Sequence, residues 1–261
     1  MMKTRPPAVA GTFYSANPAT LKSDVEHYLS FAKALNLQPR AVISPHAGYV
    51  YSGQYAGTAY GQFLGRSSEI DRVVLIGPAH REYVEGIAAT SAIFFQSPLG
   101  EIPIDTETLN DLMDNQLVHT NDQAHKLEHS LEVQLPFLQL VLNDFRLTPL
   151  LVGNADPASI AGILLPLMQE SKTLIVISSD LSHYLDYKTA TAVDSETSAA
   201  IEALEPARIV STNACGSIPI KAMLLAAKRL GLHARTLSQG NSGDTAGDKN
   251  RVVGYGAYLF H

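Results

Sequence analysis

Arg72-Val73-Val74-Leu75-Ile76-Gly77-Pro78-Ala79-His80 decides how the rest of the chain is read. The run is apolar and rich in β-branched residues, shorter than a helix needs, and stopped by a proline, so it reads as a buried strand. The same plan occurs upstream in Arg40-Ala41-Val42-Ile43-Ser44-Pro45-His46, again a strand, a proline and then a histidine. A third run, Ile175-Val176-Ile177-Ser178-Ser179-Asp180-Leu181-Ser182-His183, carries a histidine a few residues past its end. Strands that are apolar on both faces must be covered on both faces. Between and around these runs the spacing predicts helices over 19–34, 54–64, 104–115, 128–141, 157–169, 188–203 and 217–230, and further strands over 86–90, 147–152, 173–178, 234–237 and 251–260. Thr20 or Ser23 is the expected cap of the first helix and Asp105 or Thr106 that of the third. Pro136 predicts a kink in the helix over 128–141, or a start nearer that proline. Strands alternating with helices define an α/β fold, a mainly parallel central sheet with helices on both faces. No Gly-, Ser- or Pro-rich boundary interrupts the alternation, so residues 1–261 are read as a single domain. The last two strands are expected to pair antiparallel at an edge, linked by a loop over 240–250.

Composition narrows the function classes. Hydrophobic residues make up 46% and charged residues 17%, enough for a packed core and against wholesale disorder. The net charge of −6, with no basic run, argues against a nucleic-acid partner. No apolar stretch approaches the ~18–20 residues of a membrane span. The opening Met1-Met2-Lys3-Thr4-Arg5-Pro6-Pro7 lacks the apolar stretch of a secretory signal. One cysteine, Cys215, allows no intrachain disulfide. Together these point to the cytoplasm.

In a parallel sheet the strand C-termini lie along one edge, and ligands bind outside it. His46, His80 and His183 are therefore expected to converge there. Neutral imidazole binds iron, zinc and copper, and two histidines with one carboxylate leave positions open on Fe(II). The carboxylate candidate is Asp244, at the tip of Asn241-Ser242-Gly243-Asp244, with Asp248 close behind. Asp180 is expected near the pocket or as a turn cap. A competing pattern is His125-Lys126-Leu127-Glu128-His129, the H-x-x-E-H of one group of zinc peptidases, with Glu128 as base if both histidines share a helix face. In a milder role His129, Glu132 and Gln134 line the same cleft or orient ligands. Cys215 precedes a helix, where a thiol can be activated, although buried cysteines are commonly inert; it stands as a secondary candidate for the pocket or its supporting residues.

At this point the chain resembles a known family. Arg5-Pro6-Pro7-Ala8-Val9-Ala10-Gly11-Thr12-Phe13-Tyr14, Pro45-His46-Ala47-Gly48-Tyr49-Val50-Tyr51-Ser52-Gly53, Gly77-Pro78-Ala79-His80, Glu128-His129-Ser130-Leu131-Glu132-Val133-Gln134-Leu135-Pro136-Phe137-Leu138, Ser178-Ser179-Asp180-Leu181-Ser182-His183-Tyr184 and Val253-Gly254-Tyr255 look like the motifs of the Memo proteins. In bacteria and archaea such proteins are described as AmmeMemoRadiSam system protein B. The resemblance thus implies an AMMECR-type protein and a radical SAM protein as partners. It also implies the fold of class III extradiol ring-cleavage dioxygenases, which hold non-haem Fe(II) with two histidines and a glutamate and use a further histidine as acid and base. Carried over by motif, His46 and His80 match the metal histidines and His183 the remaining one. Animal Memo proteins place a cysteine near the C-terminal glycine-rich segment. This chain has none there, and Asp244 is the substitute on charge and position. The animal relatives are linked to motility signalling, phosphopeptide binding and copper- or iron-dependent redox chemistry.

The expectation is a metal-dependent, dioxygenase-like oxidoreductase. His46, His80 and Asp244 would hold a divalent metal, Fe(II) first, with copper or zinc as alternatives. His183 would move a proton, and Tyr49, Tyr184, His129 and Glu132 would shape the pocket. The alternative is a non-catalytic protein whose cleft binds a peptide or small ligand, with a zinc hydrolase third. The substrate is not legible.

Overall fold

The computed structural model describes residues 3–114 and 116–261. Met1 and Met2 of the opening segment lie outside the described residues, as does Asn115, the expected end of the third helix. In chain order the strands are β1 (Thr4–Arg5), β2 (Ala41–Ser44), β3 (Arg72–Pro78), β4 (Ile87–Ala89), β5 (Phe94–Ser97), β6 (Gly100–Pro103), β7 (Val118–Thr120), β8 (Arg146–Val152), β9 (Thr173–Ser178), β10 (His183–Leu185), β11 (Ala234–Asn241) and β12 (Val252–Phe260). The helices are α1 (Pro18–Leu29), α2 (Tyr49–Tyr60), α3 (Thr106–Met113), α4 (Asp122–Lys126), α5 (Leu135–Val141), α6 (Pro157–Gln169), α7 (Tyr187–Glu202) and α8 (Ser217–Leu230).

The main sheet runs in the order β10-β12-β2-β9-β3-β8-β4-β7, with β11 also on β12. Its heart, β2-β9-β3-β8, is parallel; β12 joins β2 antiparallel and β4 joins β8 antiparallel. Every residue of β2 and β9 is buried, which is why their sequences carry no polar alternation. Burying side chains such as Ile43, Leu75 and Ile177 contributes about 1.5–3 kcal/mol each. One helical group, α1, α2 and α5, packs together, with α2 against β2, β11 and β12; a second, α6 and α8, packs against β9 and β3, while α7 lies along β11 and β12. No helix among the described residues is long and apolar enough to cross a membrane.

The departures from the sequence expectation have local causes. Helix α1 is capped by Asn17, whose side chain accepts from the Thr20 N–H; Pro18 sits in the first turn, where no N–H is needed. Helix α2 starts at Tyr49 rather than Gln54. Its glycines serve packing: a Cβ at Gly57 would stand 2.1 Å from the Tyr28 carbonyl oxygen of α1. The expected helix over 128–141 shrinks to α5, with Pro136 in its first turn and a 3₁₀ turn over Glu132–Gln134 before it. The last two strands do form an antiparallel edge hairpin. The β5–β6 hairpin, which pairs with β1 in a separate three-stranded sheet, was not read from the sequence because its strands are short and interrupted by Pro98 and Gly100.

The H-x-x-E-H reading fails here. Helix α4 ends at Lys126, so His125 and His129 share no helix face. The buried His125 ring instead lies 2.9 Å, through Nε2, from the Ala88 carbonyl oxygen, which only accepts, so Nε2 carries the proton. Burial pulls this histidine from 6.5 down to about 4. Its folded-state value lies below the unfolded one, so the stabilisation is full above pH 6.5 and drains as pH falls toward 4, with a total of about 3 kcal/mol. Urea unfolding of His125→Gln and the parent across this window should show the parent losing stability faster on acidification. Parallel pH profiles would contradict the assignment.

Candidate metal centre

Parallel register levels the strand ends. Ser44 of β2 is the Cα partner of Ser178 of β9, and Ile76 of β3 pairs with Ile177. Pro45 and the end of β3 at Pro78 then release the chain, delivering His46 and His80 to one edge. Their ring centroids lie 5.1 Å apart, and the His129 ring lies 5.4 Å from His46 and 4.9 Å from His80. The expected position of Asp244 is a correction. Asp244 is turned into its own loop, where its carboxylate accepts from the Tyr187 hydroxyl at 2.6 Å and the Asn241 N–H at 2.9 Å. In its place stands Cys215, whose Sγ is 3.2 Å from His46 Nε2. Ligand atoms of His46, His80 and Cys215 all lie within 4.8 Å of one another. The thiol is brought in by the tight approach of α8 to the loop after β9. The Gly216 N–H donates to Ser179 Oγ at 2.9 Å, and a Cβ at Gly216 would stand 2.7 Å from Ser179 Cβ.

Buried hydrogen bonds decide which imidazole nitrogen faces the centre. Gln134 Nε2 donates to the Pro45 carbonyl and to Ser178 Oγ, while its Oε1 accepts from the Tyr60 hydroxyl. Ser178 in turn donates its one proton to the Ser130 carbonyl at 2.5 Å. Ser178 therefore has only a lone pair for His46 Nδ1, 2.9 Å away, so Nδ1 holds the proton and Nε2 is bare. His80 reaches the same state through Glu128. Its Nδ1 lies 3.0 Å from Glu128 Oε1 and its backbone N–H donates to Oε2 at 2.5 Å. Burial pushes the Glu128 carboxyl up, but hydrogen bonds from His129, His80 and the Ser130 N–H outweigh it and hold the group well below the carboxylate range. An ionised Glu128 only accepts, so His80 Nδ1 must donate. Burial, reinforced by His80 and His129, lowers His46 well below an ordinary histidine.

The cleft over these groups holds about 610 Å³ and is lined by His46, His80, His129, Asp180, His183 and Tyr184, with Phe13, Tyr51 and Tyr255 on its walls and Arg81 and Arg251 at its exposed rim. A wider groove of about 890 Å³ elsewhere has no histidine or cysteine in its walls. Asp180 is buried, accepts from the His46 N–H at 2.7 Å, and is raised by that burial. The His183 ring makes no hydrogen bond among the described residues; its ring contact is Tyr184, 5.8 Å away. Tyr184 adopts a left-handed φ of 61° beneath the Arg251 guanidinium, 4.4 Å from its ring centroid. Two residues expected in the pocket lie elsewhere. Tyr49 is buried in the aromatic core and donates to the Val133 carbonyl. Glu132 is fully buried against Arg5 at 2.7 Å and accepts from the N–H groups of Ala8 and Val9 and the Tyr14 hydroxyl, pinning the N-terminal segment. Ser178 was missed as a functional residue, and Glu128 was weighed only as a peptidase base. Nothing in a serine's sequence context marks the hydrogen bond it will make.

An α/β protein with level parallel strands, a bis-imidazole–thiol cluster and a cleft above it is what this geometry defines. A family model described as Memo-like protein matches residues 5–259. The chain is 35% identical over 271 residues to a MEMO1 family protein of Methanosarcina mazei, covering 99% of each, and 34% identical over 271 residues to one of Aquifex aeolicus, covering 99% of this chain and 100% of the other. It belongs to the Memo family. Among solved structures, an uncharacterized Escherichia coli protein, JW3007, matches with a TM-score of 0.56 at 14% identity over 84% of this chain and 98% of that one, a likeness of fold.

The helix start does not activate Cys215. Burial and then the Asp180 charge push its thiol up to about 12, ahead of the lowering by the Asp180 and Gly216 N–H groups and Ser179. Iodoacetamide at pH 8 should alkylate Cys215 of the metal-free protein at least about a hundredfold more slowly than a free cysteine peptide, since the thiolate is the nucleophile. Labelling at the peptide's rate would show the thiol to be ionised.

Proposed function

We propose that this Memo protein is a metal-dependent oxidoreductase, with His46, His80 and Cys215 holding the metal. The observation that carries the reading is that both imidazoles are fixed by buried partners with bare Nε2 atoms, beside the part-buried Cys215 thiol within 4.8 Å of both. Hydrogen-bonded second nitrogens are the usual support of ligating histidines. Two imidazoles and one thiolate suit iron, copper or zinc; thiolate in place of carboxylate softens the set and moves preference toward copper and zinc relative to an iron site built on Glu or Asp. When bound, iron or copper would supply one-electron chemistry at the cleft floor.

The chain's own residues supply the rest. Asp180 clamps the His46 backbone and keeps the cleft floor polar. His183, with a ring free of structural hydrogen bonds, takes a proton from a substrate hydroxyl or returns one; imidazole suits this near neutral pH. His129 lies between the Phe13 and His80 rings, its Nδ1 3.2 Å from Glu128 Oε1, and walls the cleft on that side. Phe13, Tyr51 and Tyr255 supply aromatic wall to the cleft above the floor. The relation to extradiol dioxygenases implied by the motifs fits this division of labour, with a metal-holding floor and one free imidazole at the wall.

Elemental analysis of purified parent and variants tests the reading. About one metal per chain is expected in the parent, near zero in His46→Ala and Cys215→Ser, and about one in Asp244→Asn. Glu128→Gln should weaken binding about 10–100-fold. Full occupancy in His46→Ala would overturn the site. Metal without oxygen uptake across a catechol panel would leave a metal-binding protein and remove the oxidoreductase.

A further inference from the structure

The rim of the cleft carries charge that the metal reading does not use. Arg81 and Arg251 both line it, and neither pairs with a carboxylate among the described residues. Arg5, Arg66, Arg72, Arg146 and Arg208 make ion pairs, whereas Arg40, Arg229 and Arg235 also make none among the described residues; what sets Arg81 and Arg251 apart is that both line the histidine cleft. The two guanidinium groups share one cavity wall, which also carries Asp180 and Asp248. Their positions bracket the site. Arg81 follows His80 directly, and Arg251 lies two residues before Val253, the strand partner of His183. Arg251 is also oriented in advance by stacking on Tyr184, which leaves its edge N–H donors uncommitted. Of the carboxylates that line the cleft, Asp248 accepts from Asn250 and Asp180 from the His46 N–H, neither from a guanidinium.

We infer that the cleft takes a small aromatic carboxylic acid, its carboxylate held at the rim by Arg81 and Arg251 and its uncharged end directed to the histidine floor. Planar guanidinium forks match a carboxylate. The walls of Phe13, Tyr51 and Tyr255 suit a flat ring, and the volume of about 610 Å³ admits one with modest substituents. The orientation toward the floor rests on the metal reading; the recognition of the acid at the rim does not.

Titration of the metal-free full chain with benzoate and with benzamide, its neutral isostere, followed by calorimetry or ligand-observed NMR, tests this. Benzoate should bind at least about tenfold tighter, the advantage falling with added salt, as expected for a charge-assisted pair. Arg81→Gln and Arg251→Gln should each weaken benzoate about five- to twentyfold, leave benzamide unchanged and leave the melting temperature and zinc uptake as in the parent. Equal binding of the two probes, no benzoate binding at 10 mM, or full benzoate affinity in both variants would overturn the inference. Because the titration uses metal-free protein and zinc uptake is read separately, loss of the metal assignment and loss of this one are distinguishable.

Discussion

The single hydroxyl proton of Ser178 can go in only one direction, and the centre depends on it. Gln134 donates to this oxygen from one side and the Ser130 carbonyl takes its proton on another, so His46 must present N–H at Nδ1 and a lone pair at Nε2. A carboxylate does the same for His80. Each support is buried, where an unmet donor or acceptor would cost more than at the surface, so the network holds one arrangement rather than several. The fold itself thereby leaves both Nε2 atoms bare.

Those supports come from the segment between Glu128 and Gln134, and its irregular backbone follows from the same need. Glu128 Oε1 accepts from the His129 and Ser130 N–H groups, so the chain there bends around its own side chain instead of starting a helix. The helix begins only at Leu135, where Pro136 needs no hydrogen-bond partner. Apolar spacing in the sequence pointed to a longer helix because periodicity registers burial, and these residues are buried for another reason.

The strands and most helices were legible because burial imposes period and length. Helices α6 and α8 and strand β9 fall on the bounds their sequences suggested. The convergence of His46, His80 and His183 on one cleft was legible too, since parallel strands share a C-terminal edge. The third ligand was not. Asp244 lies in a glycine-rich turn with the right charge, and nothing in its sequence says that the carboxylate will cap that turn. Cys215 reaches the centre through the packing of α8 against the loop after β9, a contact between segments far apart in the chain. Glu132 and Tyr49 misled for the same reason: their motif is shared with site residues, but their side chains face the core.

The strand order also has a temporal side. β2, which carries the chain to His46, lies between β9 and β12, so its two neighbours are made long after it. A nascent chain leaving the ribosome holds β2 with both hydrogen-bonding edges bare until β9 emerges and with one bare until β12 does, and it lacks the thiol until position 215 has been synthesised. The His46–His80–Cys215 cluster can therefore assemble only after position 215 has been made, which separates its formation from the early stages of folding.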